Sequence, residues 1–398
     1  MTLLLLNMAA TTDRIVFAAL APALSEALRL SDRQLALVVG PAFGIAYAAA
    51  LPFAGWLVDR VGARRVLVGS VLVWTLGLVI SALAGMGAGT GARALPLLLL
   101  GRSITGVGQA ALTPAAFALI LGNAAPAHVG RGLTLFTGAG TLGRGIAFLA
   151  AGVLLGAFNG LGGMPSWSAT LLTLAAGNIV FLLVGTRFVH GGVPSKPVAW
   201  SILARWLRTA PLRIGTAVIS ALGTVVIAQG LSAWIAVVLV RAHMTTPAKA
   251  ALLIGAVGTI ASPVGHVAGG ALTDSGRLGT GGIMAVMLLC APLTWAFVVA
   301  PNLPIALVVL SLALVAAGIA GGIGLVRVQR LIPPEVRGTA NGLFMTLVAL
   351  VGISGGPLLV PLLSADVGLG LAATVLLATL IAALAGLLAD RGTVVVAR

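Results

Sequence analysis

Five ionisable side chains, Asp13, Arg14, Arg102, Arg144 and Arg327, lie inside stretches otherwise almost free of charge. Those stretches are long enough to cross a bilayer. A charge at membrane depth costs about 2.5–3.5 kcal/mol on insertion scales, so it persists mainly where it faces a partner or a water-filled cavity. Four cations and one anion so placed suit an anionic or zwitterionic solute, and the lone carboxylate could carry a proton. Arg102 and Gln109 are seven residues apart with Thr105 between them, so they share one helix face. Arg14 and Asn7 share a face in the same way. Asp13 points about 100° away from Arg14 on a helix, so the two cannot meet the same ligand. Two readings of Asp13 stand side by side: a coupling site that takes up a proton, or half of a constitutive buried ion pair. Arg144, within Gly143-Arg144-Gly145, is a candidate solute contact or a snorkelling, paired cation. Arg327 falls near a span end, which suits an interfacial role. His266 could titrate, although a lone histidine also fits a packed, hydrogen-bonded one.

The elements that must position these groups follow from composition. Of 398 residues, 60% are hydrophobic and 8% charged. A soluble domain carries about 25% charged residues, so this chain cannot cover a water-facing surface. Hydrocarbon roughly 30 Å thick needs about 20 apolar residues per helix. Twelve such runs are present, near 2–25, 33–58, 64–86, 94–122, 129–157, 166–189, 211–240, 248–273, 278–300, 303–329, 335–363 and 367–389. Backbone groups in lipid must bond within the protein, so the runs are helices. Their continuous apolar character excludes the alternation of a barrel. The fold class is an all-α polytopic membrane protein.

A net charge of +15 raises the question of nucleic acid, but its distribution answers otherwise. With the amino terminus inside, fourteen Lys or Arg residues fall in inner loops and five in outer ones. That asymmetry is the positive-inside pattern and places both termini in the cytoplasm, in the plasma (inner) membrane. The single cysteine, Cys290, lies in the ninth run, so no internal disulfide can form. The first run lacks a basic leader and carries Asp13-Arg14, so it reads as a retained helix rather than a cleaved signal. Only twelve residues precede Asp13; either the true start lies upstream or the helix begins at Met1.

The chain also repeats itself. Gly55-Trp56-Leu57-Val58-Asp59-Arg60-Val61-Gly62-Ala63-Arg64-Arg65 follows the second run, and Gly270-Ala271-Leu272-Thr273-Asp274-Ser275-Gly276-Arg277 follows the eighth. Asp59 and Asp274 are separated by 215 residues; Arg131-Gly132 and Arg337-Gly338, which open the fifth and eleventh runs, by 206. A near-constant offset implies two pseudo-symmetric six-helix halves, 1–189 and 211–398, an architecture of secondary transporters. Between them, 190–210 contains Gly191, Gly192, Pro194 and Pro197. Its end, Ala199 to Thr209, sets Trp200, Leu203 and Leu207 near one face and Arg205 and Arg208 on another, the pattern of a short helix lying on the inner membrane surface.

Gly55 to Arg65 resembles the signature loop of the major facilitator superfamily almost completely, and Gly270 to Arg277 is similar to its degenerate second copy. Arg102-Ser103-Ile104-Thr105-Gly106-Val107-Gly108-Gln109-Ala110 is similar to that family's fourth-helix motif. Asp13-Arg14, Leu30-Ser31-Asp32 and Phe43 with Tyr47 resemble two of its subgroups, the organic-anion symporters and the Spinster-like lipid transporters. The resemblance spans the chain and implies twelve helices whose first, fourth, seventh and tenth members line a cavity. On that basis Asp13, Arg14, Tyr47, Arg102, Gln109, Arg144 and Gln229 are candidate substrate or coupling residues, with Ser232 and Trp234 as weaker lining candidates. Both subgroups imply a glutamate where this chain has Gln109, a departure that bears on proton coupling through the fourth helix.

The signature loop also has its own physics. Arg60, Arg64 and Arg65 hold the loop at the inner interface, and Gly62 permits a tight reversal. Asp59 sits beside the negative end of its own helix and needs a partner, either the start of the eleventh helix near Glu335 to Gly338 or Arg131. A contact that forms when the inner side is shut would make a gate of Gly55, Asp59, Arg60, Gly62, Arg64, Arg65, Arg131, Asp274, Arg277 and Arg337. A purely topogenic loop is the alternative.

Other motifs dissolve on inspection. Gly138, Gly140 and Gly143 match a dinucleotide pattern but follow no strand, and glycine-rich helix packing accounts for them. Gly352-Ile353-Ser354-Gly355-Gly356 matches a hydrolase elbow, which needs a later histidine; the last one is His266. No glycine-lysine pair exists, so no Walker site and no ATP-driven pump. Pro41, Pro52, Pro114, Pro357 and Pro361 inside runs suggest kinks. The expectation is a monomeric carrier, not an enzyme, with no cofactor, no metal and no nucleic acid. Its partners would be a small solute, protons and membrane lipids. It would move a small organic anion with a proton or, alternatively, export lysolipids or drugs.

Overall fold

A computed structural model of the protein describes residues 1–86, 91–123, 128–160, 162–185, 200–276 and 279–391. Among them no strand forms, and twelve helices are long and apolar enough to span a bilayer. In order they are Thr2–Ala19, Asp32–Val61, Ala63–Leu83, Ala94–Ile120, Gly138–Ala157, Ser166–Val184, Pro211–His243, Pro247–Ser275, Thr280–Val298, Leu303–Leu331, Arg337–Leu363 and Val367–Ala389. Large apolar side chains such as Phe53, Val267 and Leu384 lie on the outside. Exposure on that scale fits hydrocarbon and not water.

Four spans are interrupted, the ninth at Leu289 between helices over Thr280–Leu288 and Cys290–Val298, and the prolines partly explain where. In the second, a helix over Asp32–Val39 ends at Gly40 and a new one begins at Pro41. Proline has no N–H to continue the first ladder but suits a first helical position. Ser31 caps the start, its hydroxyl accepting from the Gln34 amide in a capping box. The fourth span breaks at Ala111, three residues before Pro114. In the eleventh, Val348–Gly355 winds as a π-helix that ends where Pro357 enters the next helix, a local widening that recurs at functional sites. Pro52 and Pro361 stay within continuous helix.

The described chain forms two compact units, Met1–Lys196 with Met244–Thr259, and Pro197–His243 with Ile260–Arg398. The sequence repeat places the halves at 1–189 and 211–398, so the eighth span straddles a contact boundary that the repeat does not show. The reason lies in small residues: a side chain at Gly145 or Gly152 of the fifth span would strike Thr259 or Leu252 of the eighth. In the first unit, Trp74, Leu119 and Phe136 share an apolar core with Leu6 and Ala10 of the first span. In the second, the seventh span packs along the tenth and twelfth.

A short helix over Trp200–Thr209 belongs to the second unit. Leu203 is buried against Ala221, Val328 and Ile332, and the Trp206 indole Nε1 donates to the Leu331 carbonyl at 3.0 Å. Arg205 and Arg208 are exposed. This is the amphipathic disposition expected of an interfacial helix. Residues 190–199 lie outside the described set.

Candidate functional site

The first unit gathers the embedded charges. Two close approaches of helices make this possible. A side chain at Gly106 would strike the Phe43 carbonyl of the second span, and one at Gly143 the Met8 carbonyl of the first. Gly106 lets the fourth span reach the break in the second. Gly143 brings the fifth against the first, where the Thr12 hydroxyl donates to the Gly143 carbonyl at 3.2 Å.

Arg102 is fully buried. Its Nε donates to the Val38 carbonyl at 3.0 Å and an Nη donates to Val39 at 3.1 Å. Those carbonyls end the helix that stops before Pro41, so a guanidinium there meets orphan acceptors and the negative end of the helix dipole together. The group also lies 4.3 Å from the Phe17 ring centroid and 5.0 Å from that of Phe43, contacts worth about 2 kcal/mol when desolvated. Its other terminal nitrogen has no hydrogen-bond partner.

Asp13 is 1% exposed. The Asn178 amide of the sixth span donates to its Oδ2 at 2.6 Å, a charge-assisted bond worth about 1.5–3 kcal/mol. Arg102 is within electrostatic reach, but the carboxylate's direct partner is the asparagine and not an arginine.

Arg14 is half-buried and its buried Nε has no hydrogen-bond partner. It lies within electrostatic reach of Arg102, Arg144 and Tyr47. Tyr47 stacks on Phe43, with ring centroids 5.5 Å apart. Arg144 is also half-buried and has partners of its own. Arg14 thus lies within electrostatic reach of two further guanidiniums, one of which, Arg102, is also within reach of Asp13. Buried donors without acceptors are rare in native proteins and call for a reason.

The neutral polar groups mostly fasten helices. Gln109 donates to the Ala10 carbonyl at 2.8 Å and Asn7 to the Phe136 carbonyl at 2.6 Å, tying the first span to the fourth and the fifth. In the second unit, Gln229 is buried and has partners. The Ser232 hydroxyl donates to Ala228. Trp234 is fully buried with its indole N–H on the Pro357 carbonyl at 2.9 Å, which makes it a packing residue rather than a lining one. His266 packs beside Gly321 of the tenth span. An Nη of Arg327 donates to the Gly386 carbonyl at 2.9 Å.

At the signature loop, Gly62 has φ +94° and closes the helix over Pro41–Val61, a conformation that disfavours any Cβ. Asp59, Arg60, Arg64 and Arg65 are exposed and Gly55 half-buried. Asp59 and Arg64 both have partners, and the Arg60 guanidinium lies 4.8 Å over the Trp56 ring. The Arg131 side chain and Arg277 fall outside the described residues. Arg337 opens the eleventh span and is exposed. In the second copy, Asp274 pairs with Arg330 at 2.6 Å.

Two partnerships escape a reading of the sequence. Asn178 is an amide inside the sixth span, and amides at membrane depth seek partners on neighbouring helices; that was the available signal. Asp274 and Arg330 end the eighth and tenth spans on the same side, which the span limits already imply.

Comparison with known proteins completes the picture. The family model described as Major Facilitator Superfamily matches residues 3–357. A multidrug resistance protein B homolog of Mycobacterium tuberculosis is 39% identical over 87 residues, 22% of this chain and 15% of that protein. The probable sulfoacetate transporter SauU of Cupriavidus necator is 31% identical over 104 residues, 26% of this chain and 22% of that protein. The matched segments thus span less than a quarter of either relative. A bacterial homolog of the human lysosomal transporter Spinster, inward-facing and unoccupied, superposes with a TM-score of 0.83 at 19% identity, covering 98% of this chain and 96% of that one. A D-xylose–proton symporter gives 0.74 at 16%, covering 96% and 95%. At these identities the structural likeness speaks for the fold.

Proposed function

Because the chain belongs to the major facilitator superfamily and is a multi-pass membrane transporter rather than an enzyme, we propose that it carries a small organic anion together with a proton by alternating access. The observation that supports this most is that Arg14, whose buried Nε has no hydrogen-bond partner, lies within electrostatic reach of two further embedded guanidiniums, Arg102 and Arg144. Among low-dielectric walls such a surplus of positive charge is costly, and an anion relieves it. Arg14 and Arg144, both half-buried, are the solute contacts. Arg102 acts one step back, holding the break of the second span in place through Val38 and Val39. Tyr47 stands beside Arg14 as a further polar contact.

Asp13 is the protonation site, since Gln109 cannot titrate and is bonded to the Ala10 carbonyl. Protonation would weaken the bond from Asn178 and remove the local anion, strengthening the field offered to a solute. Asp59 and Asp274 with their basic neighbours form the inner gate. The asymmetry of basic residues supports a plasma-membrane orientation with both termini in the cytoplasm, and the working unit in this reading is a monomer. The named sulfoacetate relative is consistent with an anionic cargo. A second reading, export of amphiphilic compounds, is favoured by the 39% identity to a multidrug resistance homolog.

A thermal-shift panel of carboxylates, sulfonates, lysolipids and organic cations separates the two. A ligand at 100 times its Kd stabilises by about 2.7 kcal/mol. Carboxylates or sulfonates should raise Tm, and proteoliposome uptake of the best binder should rise with an imposed pH gradient. Stabilisation by lysolipids or cations alone would favour the second reading.

A further inference from the structure

The second unit contains a basic cavity beside the Asp274–Arg330 pair, and the transport reading gives that cavity no ligand. It has a volume of about 370 Å³ and is lined by Arg213, Arg327, Arg330, Thr273, Thr280 and Ile283, among others. Its walls are the first residues of the seventh and ninth spans and the last residues of the eighth, tenth and twelfth. All five are ends on the same side of the helix bundle, the side that the loop charges make cytoplasmic.

Among the described residues that line the cavity, the charged ones are three arginines. Arg327 and Arg330 are three residues apart on one helix face, and Arg213 comes to them from the seventh span. Of the acids nearby, Asp274 meets one of these arginines, Arg330, in a pair that is more than half exposed on both sides. An Nη of Arg327 donates to the Gly386 carbonyl at 2.9 Å, one of the contacts this arginine makes. The ninth span begins at the cavity with Gly279 as its N-cap and no side-chain cap, which adds amide donors and the positive end of a dipole to the same space. Guanidiniums and helix amides gathered at one small space suit a tetrahedral oxyanion. Next to the cavity-lining positions in sequence, Leu212 is 74% exposed and Leu388 43%, so apolar surface adjoins it at the level of the membrane interface.

The geometry points to a phosphate-binding site at the inner end of the second unit, which takes the headgroup of an anionic phospholipid. A cavity of this size holds a phosphoglycerol-sized group and leaves the acyl chains outside, beside the exposed leucines. Basic pockets between spans on the cytoplasmic side are where such headgroups are attracted. The anion proposed as cargo belongs to the other unit, so this site stands or falls separately from the transport reading.

The test uses the full chain in detergent, titrated with phosphatidylglycerol, phosphatidylcholine or inorganic phosphate, with bound molecules counted by native mass spectrometry and Tm followed in parallel. Phosphatidylglycerol should bind in preference to phosphatidylcholine. Arg213→Gln should weaken it about fivefold, the weight of one basic residue at an anionic interface, and Arg213→Lys should retain most of it. Ala217→Met, which fills part of the cavity and leaves every charge in place, should weaken it as well. Arg205→Gln, on the exposed face of the surface helix, should not. Saturable binding of inorganic phosphate that is lost in Arg213→Gln would support the site and assign it to a soluble phosphate instead of a lipid. Equal binding of both lipids, or the same loss in Arg205→Gln as in Arg213→Gln, or no loss in either cavity variant, overturns the proposal.

Discussion

The two units each carry a copy of the loop motif, yet they place their charges at different depths. In the first, Asp13, Arg14, Arg102 and Arg144 lie well inside their spans. In the second, Arg213, Arg327, Arg330 and Asp274 lie at span ends, and the span interiors carry neutral groups such as Gln229, Ser232 and Thr224. A buried charge demands neighbours that satisfy it, and the first unit supplies them: Asn178 for Asp13, helix-end carbonyls and two aromatic rings for Arg102. The second unit uses its polar groups to bond backbone, as Ser220 does with Ala382. Duplication of a scaffold therefore need not duplicate its chemistry. On this account one unit recognises charge at depth and the other keeps its charges near span ends.

Substitutions in the two units should break this symmetry in a set order. Arg14→Gln should reduce anion uptake about 100-fold, equivalent to about 2.7 kcal/mol, whereas Gln229→Ala should change it by less than about fivefold; initial rates in proteoliposomes measure both. Asp13→Asn should leave anion binding within about threefold, since the lost charge lies beside and not at the solute. Uptake by this variant should no longer respond to a pH gradient. Arg102→Gln should lower stability by about 3 kcal/mol, because Val38 and Val39 lose a charged donor and two rings lose their cation. Arg102→Lys should not restore it, lacking the planar fork; unfolding in detergent reports both.

The loops sharpen the comparison at smaller scale. Gly62→Ala should cost about 1–3 kcal/mol for backbone strain at φ +94°. Its counterpart Gly276, at φ +62°, should accept asparagine at less than about 1 kcal/mol, because that region admits Asn. Arg330→Gln should change stability by less than about 1 kcal/mol, as the Asp274 pair is largely exposed.

Much of the fold is legible in the chain because hydrocarbon allows so few solutions. The twelve apolar runs, the repeated loop and the amphipathic 200–209 segment all follow from period, charge and length. The embedded charges were equally conspicuous. Their partners were not, since a partner is set by which helices adjoin. Asn178 lies 165 residues from Asp13 and carries no charge to betray it. Arg102 appears in the sequence as a solute contact; its fork instead meets carbonyls that exist as acceptors only because the second span breaks at Gly40 and Pro41. The proline was visible, but the orphan carbonyls before it become a binding site only when Gly106 lets the fourth span approach. The contact boundary within the eighth span was likewise hidden, because a repeat reports duplication and not packing.

The central claim is that embedded guanidiniums of the first unit select an anion. It is tested most directly by binding isotherms of the best sulfonate or carboxylate to three purified proteins: wild type, Arg14→Gln and Gln229→Ala. Wild type should bind saturably, Gln229→Ala nearly as well, and Arg14→Gln that still shows the wild-type Tm without ligand should not bind detectably. Undiminished binding by Arg14→Gln would contradict it.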